Sequence, residues 1–256
     1  MQKMTLTECS KKRLEETYLI IYAIKNQVNL KKGDYIESCD IYTLVGIDKR
    51  GYRQLINVYQ DRVSNNRYWL DIFEGLKARG LKNVLFLSVD DNHNMKRTAK
   101  IAFPKIQFVD SITYITPKFY KYTNERNSTK LAGVLHELYT LKTIDEFKKK
   151  FQVFKATYNN SIHQKLIEKY LSNIEECYKM SANIRILLFR HTANLKLYDK
   201  IRLSFNNNKN YIESLEEIYD KMGDLEDFFG YTSFKKKEWT YILNDLIQMH
   251  PDIEFI

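Results

Sequence analysis

The order of the apolar runs constrains this chain most. Residues 18–24 (YLIIYAI), 41–47 (IYTLVGI) and 52–59 (YRQLINVY) are short stretches rich in β-branched and aromatic residues. Such stretches suit strands, because branched and ring side chains pack well on a pleated surface. Lys31-Lys32-Gly33-Asp34 and Asp48-Lys49-Arg50-Gly51 lie between them as turn signals, so the three runs predict an antiparallel meander. The period then changes. Over residues 65–79, Tyr68, Trp69, Ile72, Phe73 and Leu76 share one helical face, and Gly80 suits the C-terminal cap. Residues 84–89 (VLFLSV) read as a fourth strand ending at Asp90. Residues 94–102 read as a second helix stopped by Pro104, and residues 106–109 as a short fifth strand.

A meander followed by alternating helices and strands predicts an α/β fold: a mixed five-stranded sheet with flanking helices. That is the layout of a ribonuclease H-like core. Ahead of it, residues 5–17 read as a short amphipathic helix. Beyond residue 110 the strand signals fade. Nearly everything over 114–249 reads helical, with polar breaks at 124–128, 158–161 and 206–210. No internal repeat is visible.

Charge and cysteine usage narrow the function classes. A formal net charge of +9 favours polyanionic partners, since each neutralised phosphate releases a counterion. Cys9, Cys39 and Cys177 are few, odd in number and far apart, which suits neither a disulfide framework nor a zinc site. A reducing, cytoplasmic setting is expected. No export signal and no membrane-length apolar run stands in the chain. Gly-rich phosphate loops, GxSxG and CxxC are absent. Asp90-Asp91-Asn92-His93 offers donors for one metal, whereas a loop histidine is more commonly just exposed.

Val45-Gly46-Ile47-Asp48 with Gly51 opens a longer pattern. It continues through Tyr68-Trp69-Leu70 and Leu76-Lys77-Ala78-Arg79-Gly80-Leu81-Lys82-Asn83-Val84 to Val89-Asp90 and Ala102-Phe103-Pro104. The whole resembles a segment of the Mutator-like transposases of bacterial insertion sequences. Fainter matches follow at Ile144-Asp145-Glu146-Phe147, Ile184-Arg185, Ile201-Arg202, Trp239-Thr240 and Leu243-Asn244-Asp245-Leu246. The resemblance implies a ribonuclease H-like sheet with a helical insertion before its last catalytic helix. On that basis 1–17 is an N-terminal helix, 18–110 the core, 111–190 the insertion, and 191–256 the helices completing the core. Most of the family's N-terminal DNA-binding region is expected to be missing. The resemblance also implies DNA cleavage and strand transfer with two Mg²⁺ held by an Asp, Asp, Glu triad, double-stranded DNA as partner, and a homodimer.

Tested against that triad, the chain keeps one acid. Asp90 matches the second position. Leu19 stands at the first and Leu195 at the third, with Lys196 one residue on. Glu16, Asp34 and Asp199 are the nearest acids able to substitute. The expected protein is therefore transposase-derived and catalytically inactive, with Asp90 a weak metal ligand at most. Basic residues Lys96, Arg97, Lys100 and Lys105 follow Asp90, and Lys196, Lys200 and Arg202 follow the lost Glu position. If both groups border the old cleft they can hold phosphates without cutting them. The alternatives are a non-catalytic binding or protein-interaction remnant, and a divergent transposase active through relocated carboxylates.

Overall fold

The structure, a computed structural model, describes residues 6–61, 66–110, 133–134, 137–158, 165, 174–189, 211–223, 230–231 and 234–254. The chain forms two compact units. One comprises Met1–Ser111 with Lys196–Phe234, the other Ile112–Leu195 with Lys235–Ile256.

The first unit is built on a mixed sheet. Its strands are β1 (Thr17–Lys32), β2 (Tyr35–Asp48), β3 (Tyr52–Gln60), β4 (Asn83–Val89), β5 (Gln107–Asp110) and β6 (Gly230–Tyr231). Their order is β5-β4-β1-β2-β3-β6. β1, β2, β3 and β6 are antiparallel neighbours, while β4 runs parallel to both β1 and β5. The expected five strands are thus joined by a sixth. Two residues carry no periodicity, so β6 left no trace in the sequence; it is marked by the edge-on stacking of Tyr52 on Tyr231. The helices of this unit are α1 (Leu6–Lys11), α2 (Asn66–Ala78), α3 (His93–Ala102) and α7 (Leu215–Gly223).

The first helix is shorter than residues 5–17 because other groups claim the backbone after it. Arg79 donates from Nη2 to the carbonyl of Cys9 at 2.8 Å and from Nε to that of Lys12 at 2.8 Å. Leu14 N–H donates to the Arg79 carbonyl, and Lys82 and Asn83 N–H both donate to that of Glu16. Gly80, at φ 107°, makes the reversal this pinning requires.

The core lies between the sheet and α2 and α3. Tyr18, Ile21, Ala23, Tyr42 and Leu44 come from β1 and β2, and meet Trp69, Phe73 and Leu76 of α2 and Met95 and Ala99 of α3. Gly46 lets Tyr18 lie flat against β2: a methyl there would sit 2.5 Å from Tyr18 Cδ1 and 3.0 Å from Ile56 Cδ1. Both neighbours are fully buried and have no room to yield. Gly46→Ala is therefore expected to lose about 1–3 kcal/mol through overpacking, read as a lower urea midpoint at unchanged slope. Asp48, two residues on, anchors the β2–β3 turn. Its carboxylate accepts from the backbone N–H groups of Arg50 at 2.8 Å and Tyr52 at 2.9 Å, and from the Arg50 guanidinium. Gly51 completes that turn at φ 77°.

The second unit contains α4 (Ile144–Thr157), α5 (Ile174–Cys177), α6 (Ala182–Phe189) and α8 (Lys236–Met249). Thr143 and Glu146 close a capping box at the start of α4. Asp245 of α8 accepts from Ser181 Oγ and from Asn183 Nδ2 at the start of α6, and Ser181 Oγ in turn accepts from Ile184 N–H. No helix among the described residues is long and apolar enough to cross a membrane.

Candidate functional site

Asp90 lies just past the carboxyl end of β4, beside the N-terminus of α3. Outside the carboxyl ends of the strands is where open α/β sheets bind ligands. The side chain is buried, at 4% exposure. It is also heavily engaged. Tyr42 Oη lies 2.9 Å from Oδ1 and 3.0 Å from Oδ2, and Asn92 N–H donates to Oδ1 at 3.1 Å. Asn92 also caps α3, its Oδ1 accepting from Met95 N–H at 2.9 Å, while its amide Nδ2 donates to Tyr42 Oη at 3.2 Å.

Three further charged groups complete the site. Lys25 on β1 is the cross-strand partner of Tyr42 on β2. Its ammonium lies 2.6 Å from Asp40 Oδ2 and 3.6 Å from Asp90 Oδ2. Asp61 follows β3, held there by its own N–H donating to the Asp40 carbonyl at 2.7 Å. Its Oδ2 is approached by Asn92 Nδ2 at 3.4 Å, and its Oδ1 is buried without a hydrogen bond. One ammonium thus faces three carboxylates.

The electrostatics follow. Burial raises the pKa of Asp61, and the charges of Asp40 and Asp90 push the same way against the opposing pull of Lys25. Burial works to lower the pKa of Lys25, but the hydrogen bond to Asp40 and the charges of Asp90, Asp40 and Asp61 outweigh it, so the group is held more firmly as an ammonium than usual. Burial, then the Asp90 charge, raises the pKa of Tyr42, which stays a hydroxyl donor.

The structure separates the other acids considered from sequence. β1 and β4 pair in regular parallel register up to Tyr22 beside Ser88, which puts Ile24 level with Asp90. Leu19 is therefore five residues back along β1, roughly 16 Å at the rise of a strand. Two metal ions of a shared site stand only about 4 Å apart, so a carboxylate at that level would not reach the same ions. Glu16 precedes β1 and pairs with Lys82 at 2.8 Å, which lowers its pKa. Asp34 lies in the turn between β1 and β2, roughly 30 Å beyond the level of Asp90. Leu195, Lys196, Asp199, Lys200 and Arg202 lie outside the described residues.

On α3, the Lys96 ammonium is 3.6 Å from Asp110, and Lys100 donates to the Ile106 carbonyl at 3.1 Å. Arg97, Lys100 and Lys105 are exposed, as are Asp91 and His93.

Sequence reading missed Lys25, Asp40, Asp61 and Tyr42 as neighbours of Asp90, and considered Asn92 only as a metal donor rather than as the cap of α3. A usable signal was there for two of them. Residues 27–31 alternate polar and apolar, and the exposure of Gln27, Asn29 and Lys31 against the burial of Val28 and Leu30 follows that alternation. Carrying β1 through it brings Lys25 and Asp40 inside the hairpin.

The fold and site define an α/β protein with a buried carboxylate, Asp90, at the carboxyl end of its parallel strands, flanked by the part-exposed Asp40 and Asp61. The family model for "Transposase, Mutator family" matches residues 3–185, and the chain belongs to that family. It is similar to the transposase for insertion sequence element ISRM3 of Rhizobium meliloti and to a probable ISRM3-like transposase of Sinorhizobium fredii. Each is 16% identical over 198 residues, covering 76% of this chain and 50% of the relative. The transposase for insertion sequence element IS1201 of Lactobacillus helveticus is 24% identical over 146 residues, covering 50% of this chain and 39% of the relative. The chain thus spans about half the length, or less, of the curated relatives it matches.

Proposed function

We propose that this chain is a transposase-derived protein with a ribonuclease H-like core, which handles DNA but has lost the chemistry that cuts it. The observation that carries the reading is the setting of Asp90. Mg²⁺ demands near-octahedral oxygen ligands at about 2.0–2.1 Å and relies on ionised carboxylates and water. Asp90 already accepts from Tyr42 and Asn92 and faces the Lys25 ammonium. Among the described residues no three acidic, histidine or cysteine side chains are grouped to hold a metal. The donor set as folded does not fit the ion.

The fold part of the proposal is supported by the strand order. β2, β3 and β6 lie on one side of β1, and β4 and β5 run parallel to it on the other, with α2 leading from β3 into β4 and α3 from β4 into β5. DNA as partner is supported by family membership and by the net charge of +9. Exposed Arg97, together with Lys96 and Lys100, offers a basic helix near Asp90. The Lys96–Asp110 pair is long and partly exposed, which makes it weak and easily exchanged for a phosphate.

A nicking assay on supercoiled plasmid in Mg²⁺ or Mn²⁺, beside Asp90→Ala, tests the reading. The expected result is no nicking, with duplex binding that weakens as salt rises. Replacing Lys96, Arg97 and Lys100 by alanine is expected to make the salt slope shallower, by about one unit for each phosphate no longer neutralised. Nicking that disappears in Asp90→Ala would overturn the inactive reading. It would favour the second reading, for which the structure offers one observation: Asp40 and Asp61 gather beside Asp90 as relocated carboxylates. In that case Asp61→Asn is expected to abolish nicking as well.

A further inference from the structure

The acids around Asp90 are arranged about a lysine. We propose that the Lys25 ammonium is the built-in cation of the Asp40, Asp61 and Asp90 cluster, standing where a divalent ion would have to sit to touch both Asp40 and Asp90. The inference rests on the reading that the site holds no catalytic metal, and explains how.

The geometry makes the assignment. Nζ lies 2.6 Å from Asp40 Oδ2 and 3.6 Å from Asp90 Oδ2, so it stands between a carboxylate within β2 and one just past the end of β4. Nζ also lies over the Tyr42 ring, 5.9 Å from its centroid, and the same tyrosine donates to Asp90. The ammonium is therefore steered by the partner that also orients the acid. Asp61 supplies a third negative charge, which burial destabilises and Lys25 helps to hold. Three carboxylates held this close repel one another, and burial strengthens the repulsion. One resident cation relieves it. A divalent ion entering beside the ammonium would meet like charge, and at bond lengths near 2 Å it would have to displace Nζ to bind both acids.

Removing the ammonium should therefore create a cation site. The measurement is Mn²⁺ binding, followed by the loss of the free-ion electron paramagnetic resonance signal, on the full chain. Wild type is expected to show no saturable Asp90-dependent site. Lys25→Met is expected to bind Mn²⁺ at least about tenfold more tightly than wild type, since a neighbouring positive charge has gone. Lys25→Gln, a milder change, should gain in the same direction. Lys25→Arg, which keeps the charge, should not. Adding Asp90→Asn to Lys25→Met should abolish the gain. If Lys25→Met folds only when Mn²⁺ is supplied, that dependence supports the assignment equally.

The proposal is overturned if wild type already binds Mn²⁺ through Asp90 as tightly as Lys25→Met, or if neither neutral variant gains affinity. It is also overturned if the gain survives Asp90→Asn. Plasmid nicking by the wild type is scored separately. Asp90-dependent nicking sinks the inactive reading, whereas a failed Mn²⁺ gain with no wild-type nicking sinks only the role given to Lys25.

Discussion

Replacing Trp69 by alanine is expected to cost about 3–5 kcal/mol of folding stability, which for a domain of ordinary stability removes a third or more of the total. Trp69 is fully buried. It sits edge-on to Tyr42 at 5.3 Å, Tyr68 at 5.5 Å and Tyr59 at 6.5 Å, and tilted against Phe73 at 6.4 Å. One side chain thus joins α2 to β2 and β3. Its loss leaves a cavity lined by rings fixed at their own backbones, and such a cavity closes poorly. The effect should also reach the candidate site, because the tyrosine stacked on Trp69 is the one that donates to Asp90. Trp69→Phe keeps most of the volume and should lose clearly less. It also removes an indole N–H that is buried without a good hydrogen bond and only helps hold the Asp61 charge. Urea unfolding followed by far-ultraviolet circular dichroism checks the order wild type, phenylalanine, alanine. An alanine variant as stable as the phenylalanine one would show that the ring cluster is not the centre of this core.

The residues of the family pattern turn out to serve the fold. Gly46 permits the approach of Tyr18, Asp48 and Gly51 build a turn, Arg79 pins the N-terminal segment, and Gly80 reverses the chain. These were legible as a pattern because each demands a particular residue type. The strands were legible wherever burial on both faces made a continuous apolar run, as in residues 18–24 and 41–47 of β1 and β2. Their outer halves, residues 25–32 and 35–40, fell outside those runs because only one face is buried there, and only residues 31–34 were read as the turn. β6 was invisible because its pairing depends on a segment far away in sequence.

The site shows the same division more sharply. Asp90 could be found because it ends an apolar strand before a helix. Lys25 could not be joined to it by any local rule. Their proximity follows from two registers at once: the parallel pairing of β1 with β4 and the antiparallel pairing that sets Lys25 opposite Tyr42. A shift of one residue in either would turn the side chain to the other face. Placing the first acid's position at Leu19 rested on the family resemblance along the chain, which says nothing about which residues two strands bring level.

Arg185→Met is expected to destabilise the second unit by about 3–5 kcal/mol, comparable with breaking a buried ion pair from one side. Arg185 is 1% exposed, yet its partners among the described residues are carbonyl oxygens. Nη1 donates to Met180, Nη2 to Leu141 and to Lys142 at 3.2 Å, and Nε to Tyr139 at 3.3 Å. The guanidinium also lies 4.0 Å from the centroid of the Tyr178 ring. Residues 137–140 and α5 are helical, so these carbonyls belong at or just past two helix ends, where backbone acceptors lack partners and a positive charge is favoured. Burial lowers the pKa of Arg185, with Tyr178 and Cys177 pulling the other way, but a guanidinium starts so high that it remains charged. Methionine fills similar volume while leaving four carbonyls without their donor. Lysine keeps the charge but has no planar fork to reach them together or to stack on Tyr178, so Arg185→Lys should also lose stability, by less. Thermal unfolding of the two variants tests this, and near-identical stability of all three proteins would refute it. The Ile184-Arg185 pair that drew attention as a family motif then has a physical role of its own. The arginine gathers the ends of two helices around a buried charge, and the packing of the second unit depends on it.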